Sequence, residues 1–109
     1  MAVADNRPVI IAESAPARYN LANPVEAEAA WNEWFVPYFQ LIALRPEIKW
    51  FHLVSYDWTK SSYYLASGWK NNDFTASSVI MQRLVQELAK PAYLHATEKS
   101  LLKDFGAHQ

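Results

Sequence analysis

Apolar positions fall along this chain in two rhythms. Val9-Ile10-Ile11-Ala12 is an unbroken apolar run between Pro8 and Glu13. A short run of this kind predicts a strand covered on both faces. Asn23-Pro24-Val25-Glu26 then reads as a helix start. Asn23 is the cap, Pro24 takes the first helical position, and Glu26 closes a pair resembling a capping box. Apolar residues recur at helical spacing at Ala30, Trp31, Trp34, Phe35, Tyr38, Phe39 and Ile42. Pro37 interrupts that face and predicts a kink or local irregularity. Arg45-Pro46 ends it. A second strand is expected over Lys49 to Val54, running into Ser55-Tyr56-Asp57-Trp58. A long loop, Thr59 to Asp73, follows. Thr75 or Ser77 caps a further helix with the apolar face Val79, Ile80, Leu84, Val85 and Leu88, stopped by Pro91. Pro91-Ala92-Tyr93-Leu94-His95 reads as an apolar docking segment, and Glu98 to Lys103 as a last helical turn or two.

The order strand, helix, strand, helix is a βαβα unit. It predicts two parallel neighbouring strands with a right-handed crossover. Two strands that both need cover on two faces require more sheet than this chain supplies. The expectation is one partial domain across residues 1–109, part of a larger α/β barrel or an oligomeric half-domain. Its units are strand-loop-helix over 8–45, strand-loop-helix over 48–90 and the docking segment 91–105.

Composition removes several function classes. Lys and Arg number 10 against 11 Asp and Glu, with no basic block, so no nucleic-acid partner is expected. No apolar stretch is long enough to span a membrane. Cysteine is absent, so a disulfide framework and a thiolate metal site are excluded. His52, His95 and His108 are isolated, so no metal is expected, and no glycine-rich loop suggests a phosphate-bearing cofactor. Ser14 lacks the Gly-x-Ser-x-Gly context of a nucleophilic serine. Met1 to Arg7 lacks the basic, apolar and small-residue regions of a signal peptide. Extracellular or periplasmic placement is expected only if a signal lies upstream in the full-length protein. Aromatic residues are abundant, with Trp 5, Tyr 6 and Phe 5. Such rings fill cores or stack on flat ligand faces, and for any one ring the core is the commoner fate.

Chemistry in α/β folds collects at the C-terminal ends of strands. That edge brings Glu13 and Ser14 from the first strand to Ser55, Tyr56, Asp57 and Trp58 from the second. Tyr63, Tyr64 and Trp69 from the long loop can fold over them. A carboxylate beneath several rings is the inventory of a carbohydrate site. Each has a plainer reading: Glu13 as a solvated strand end, Asp57 as the cap of its own turn, His52 as a packed, hydrogen-bonded histidine.

Taken in order, Pro8 to Ser14, Trp31-Asn32-Glu33-Trp34-Phe35, Ile48-Lys49-Trp50-Phe51 through Tyr56-Asp57-Trp58, and Pro91 to His95 resemble the C-terminal part of bacterial glycoside hydrolase family 26 type domains, which include β-mannanases. The resemblance implies a (β/α)8 TIM barrel of which these are strands seven and eight. It implies that Glu13 is the catalytic nucleophile of a retaining glycosidase. It implies that Trp58 and Trp69 line the sugar cleft with the acidic Asp57 beside them; Tyr56 from the strand end and Tyr63 from the loop are the further substrate contacts expected. The expected partners are an oligo- or polysaccharide, mannan-like, and the missing N-terminal part of the barrel. Two places depart from the family pattern: Ser55 stands where Asn is frequent, and Trp69-Lys70-Asn71-Asn72-Asp73 replaces a Trp-Gly-Asp stretch. The acid/base of such enzymes comes from a fourth strand absent here, so the isolated chain is expected to be inactive. The rival expectations are a glycan-binding module without catalysis and a small α/β interaction domain whose rings are all core.

Overall fold

The computed structural model describes residues 7–93. Leu94, His95, the expected turn at Glu98 to Lys103 and His108 lie outside the described residues. The elements are β1 (Val9–Ser14), α1 (Pro24–Ala30), a π-helical segment (Trp31–Phe35), α2 (Val36–Leu44), β2 (Ile48–Leu53), α3 (Ser62–Ala66) and α4 (Ser78–Leu88). Short 3-10 turns occupy Trp58–Lys60 and Phe74–Ala76. β1 and β2 pair in parallel as a two-stranded sheet, as the βαβ order requires.

The first helix begins where its cap chemistry places it. Asn23 accepts hydrogen bonds from the N–H groups of Val25 and Glu26, and Pro24 opens the helix. Glu26 does not return to Asn23; its carboxylate accepts the Asn20 N–H at 3.2 Å, one turn of chain earlier. At Pro37 the missing N–H removes one regular helical bond. The chain answers with the π turn just before it, in which the Val36 N–H reaches the Trp31 carbonyl. The helical path continues to Leu44 and ends at Arg45-Pro46.

Leu21, Ala27, Ala30, Phe35, Phe39, Phe74, Ile80 and Leu84 form the buried core. Its centre is aromatic. Phe35 meets Phe74 edge-on at 5.8 Å, and Phe39 meets Phe51 at 6.2 Å, so the helical face is clamped to α4's approach on one side and to β2 on the other. Fully burying one such ring contributes about 2–3 kcal/mol. Tyr93 packs on Phe39 and Phe51, and its hydroxyl donates to Glu87 at 2.7 Å. Ser77, rather than Thr75, caps α4. Ile80 and Leu84 of that helix are buried, but Val79 and Val85 are exposed. Its working stripe is narrower than the sequence suggested.

The strands depart from expectation in one respect. Ile11, Ser14, Phe51 and Leu53 turn toward the helices, while Ile10, Ala12, Glu13, Trp50 and His52 are exposed, Ile10 at 64%. One layer of helices covers one face of a two-stranded sheet. Among the described residues, nothing covers the other face. The apolar character of both faces is therefore present in the sequence, but among the described residues only one face is buried.

Candidate functional site

Two loops leave the C-terminal ends of the strands and are stitched together. Leu21 donates its N–H to the Asn71 carbonyl at 2.8 Å, and Lys70 donates its N–H to the Ala17 carbonyl at 2.9 Å. Asp57 and Asn71 form an isolated antiparallel bridge. At the join sits Asn72, wholly buried. Its amide donates to the carbonyls of Pro16 at 3.0 Å and Tyr19 at 2.9 Å, and its oxygen accepts the Trp58 indole N–H at 2.9 Å. A buried amide with every side-chain group engaged is a specific fixture, because each bond lost would leave a dry polar group.

Asn72 thereby fixes Trp58 at the centre of an aromatic group. Trp58 lies 5.0 Å from Tyr56, 4.7 Å from Tyr64 and 4.8 Å from Trp69. Tyr63 meets Tyr64 edge-on at 5.2 Å. Gly68, at φ 84°, reverses the chain after α3, and the Trp69 N–H returns to the Tyr64 carbonyl at 3.0 Å. That reversal suits glycine, and it folds Trp69 back onto the cluster. The cluster grades outward: Trp58, Tyr64 and Trp69 are half-buried, whereas Tyr63 is 74% exposed. The structure thus gathers Tyr56, Trp58, Tyr63 and Trp69 of the predicted substrate contacts, with Tyr64 among them.

Asp57 takes a different part. Its Oδ1 accepts the Thr59 N–H at 3.0 Å and the Thr59 hydroxyl at 2.5 Å, capping the 3-10 turn that carries Trp58. Asp73 repeats the device with Thr75, and these bonds hold its carboxyl below the usual range. Ser55 is also a fastener, since its hydroxyl accepts the Phe74 N–H at 2.9 Å.

Glu13 lies inside β1, one residue before its end, rather than beyond it. Ile11 is paired with Phe51 and Ser14 with Leu53, so three steps on β1 match two on β2. This extra residue breaks the in-out alternation, as a β-bulge does. Ser14 turns inward, where its hydroxyl meets the Tyr38 hydroxyl at 2.7 Å and donates to the His52 carbonyl at 2.5 Å. Burial pushes the Tyr38 phenol up, with the Ser14 bond opposing. Glu13 is left exposed, and no hydrogen bond or ion pair engages its carboxylate among the described residues. An unengaged carboxylate on the irregular end of a parallel strand is available to a ligand.

His52 is hydrogen-bonded, as expected, but not packed: it is exposed on the open face. Its Nε2 accepts the Trp50 indole N–H at 2.9 Å, and its Nδ1 lies 3.0 Å from the Ala12 carbonyl. Sequence reasoning gave no role to Trp50, Asn72 or Lys70. The i, i+2 spacing of Trp50 and His52 places both on one strand face and was a usable signal. Asn72 had none, because a buried amide and a solvated loop amide look alike in a polar stretch. Among the described residues no group of His, Asp and Glu is arranged to hold a metal ion. No helix among them is long and apolar enough to cross a membrane.

No family model matches the chain. The chain is similar to the β-1,3-xylanase TXYA of a Vibrio species, 26% identical over 113 aligned residues that cover 86% of this chain and 25% of that protein. It is similar to a β-1,3-xylanase of an Alcaligenes species, 28% identical over 109 aligned residues that cover 83% of this chain and 23% of that protein. The chain spans about a quarter of the length of these curated relatives.

Proposed function

We propose that this chain is the nucleophile-bearing part of a retaining glycoside hydrolase acting on β-linked polysaccharide. In this reading Glu13 attacks the anomeric carbon and forms a glycosyl ester, while Tyr56, Trp58, Tyr63 and Trp69 offer sugar-stacking faces. The observation that carries it is the pairing of an unengaged Glu13 on the bulged end of β1 with an aromatic group built from the loop after β2, at one end of the sheet. Similarity to two β-1,3-xylanases supports the substrate class and favours a xylan over the mannan suggested by resemblance to family 26. The exposed second face of the sheet supports the further reading that β1 and β2 are strands seven and eight of a (β/α)8 barrel. The acid/base would then come from another strand. Asp57 is not that group in this reading, since its Oδ1 already accepts both the N–H and the hydroxyl of Thr59 as a turn cap.

An activated fluoro-xyloside with a dinitrophenolate leaving group tests the nucleophile, because its departure needs no acid. Mass spectrometry should find the glycosyl adduct on the Glu13 peptide, and Glu13→Gln should abolish it. An adduct on another carboxylate would overturn the assignment. The engagement of Asp57 Oδ1 by Thr59, with Glu13 left as the carboxylate at this edge that no hydrogen bond engages among the described residues, favours one second reading: a module that binds glycan without cleaving it. Tryptophan quenching by β-1,3-xylan without any adduct would select that reading.

A further inference from the structure

We propose that His52 is a positioning residue for Glu13. Where the register slips, Ala12 and Glu13 have no partner residue on β2. His52 reaches across this gap on both sides of Glu13. Its ring bonds the Ala12 carbonyl, and its own carbonyl accepts the Ser14 hydroxyl. The next ladder bond, from the Val54 N–H to the Ser14 carbonyl at 2.8 Å, closes the irregular stretch. The residues before and after Glu13 are therefore both held by one residue of the opposite strand.

The ring's protonation is set by its neighbours. The Trp50 indole can only donate, so Nε2 must accept, and the single ring proton of the neutral imidazole stands on Nδ1 facing Ala12. Trp50 thus orients His52, and His52 pins the backbone that carries Glu13. The ring is exposed and fills no core position, so this role is separable from packing.

The value of this clasp to catalysis rests on the nucleophile assignment above; the clasp itself does not. Long-range proton–nitrogen correlation spectra of the full chain should show His52 protonated on Nδ1, with the proton shared toward Nε2 in Trp50→Phe. His52→Leu should raise amide exchange at Glu13 and Ser14 by about tenfold, the loss expected for one hydrogen bond. His52→Asn, whose amide sits near the Nδ1 position, should restore most of that protection. Fluoro-xyloside labelling of Glu13 should slow in His52→Leu and recover in His52→Asn. A ring protonated on Nε2, or exchange at Glu13 and Ser14 that is the same in His52→Leu and the parent chain, would overturn the clasp. Altered exchange with no labelling in any variant would uphold the clasp and refute the nucleophile reading.

Discussion

The described residues hold two aromatic assemblies with similar ingredients and opposite settings. Trp31, Trp34, Phe35, Tyr38, Phe39, Phe51 and Tyr93 pack between the helices and one face of the sheet. Tyr56, Trp58, Tyr63, Tyr64 and Trp69 gather on the loop beyond the strand ends. The first is positioned by area removed from water, which is non-directional. The second is positioned by hydrogen bonds: Asp57 caps its turn, Gly68 reverses it, and Asn72 grips Trp58. Rings fixed by polar anchors can remain partly wet without losing their geometry. That is what a stacking surface needs and a core does not.

Truncation should separate the two assemblies. Phe35→Ala should give the largest loss, about 3–5 kcal/mol, because it opens a cavity at a fully buried site; urea unfolding measures it. Asn72→Ala should cost about 2–4 kcal/mol by orphaning the Tyr19 carbonyl and the Trp58 indole N–H and by taking one of two donors from the Pro16 carbonyl. Unlike Phe35→Ala, it should also release Trp58, seen as a red-shifted tryptophan emission in the folded protein. Tyr63→Ala should leave stability within about 0.5 kcal/mol and weaken glycan quenching about five- to tenfold. Equal stability losses for Phe35→Ala and Tyr63→Ala would erase the distinction.

Acid provides the mildest test. Glu26 is held below the usual carboxylate range by the Asn20 N–H and then by Lys70. Burial raises Glu87, but the bonds from Tyr93 and Lys90 outweigh it and lower the group overall. Groups with depressed folded-state values favour the folded state above the ordinary carboxylate pKa of about 4.3. That contribution fades as pH falls through the lower folded values. A thermal melt series should therefore show stability level above about pH 5 and declining below it. Lys70→Ala should flatten the decline slightly, since it loosens the Asn20–Glu26–Lys70 link between the loop and α1.

Local signals carried far in this sequence. Asn23-Pro24 located the start of α1, Pro37 announced a helical irregularity, and the βαβ order gave the parallel pair. The strand-end aromatics were legible as a group because they are close in sequence. Three things were not legible. The exposed face of the sheet depends on what covers it, and Ile10 reads the same covered or bare. The inward turn of Ser14 beside Glu13 depends on a register slip between distant strands. The roles of Asp57 and Asn72 depend on partners 2 and up to 56 positions away. The nearer of these was foreseeable from the capping habit of aspartate, and the farther was not.

The π turn at Trp31–Phe35 has a consequence for how the chain tolerates length changes. One extra residue per turn retards the helical phase by about 100°. Tyr38 and Phe39 reach Phe51 of the sheet with that delay already inserted upstream of them. Deleting one residue between 31 and 35 would close the π turn into a regular one and leave those rings against Phe51, whereas straightening the helix at its present length would rotate them off it by about 100°. Here the departure from regularity is a phase correction, and this segment is where the helix can lose one residue and keep the face beyond it.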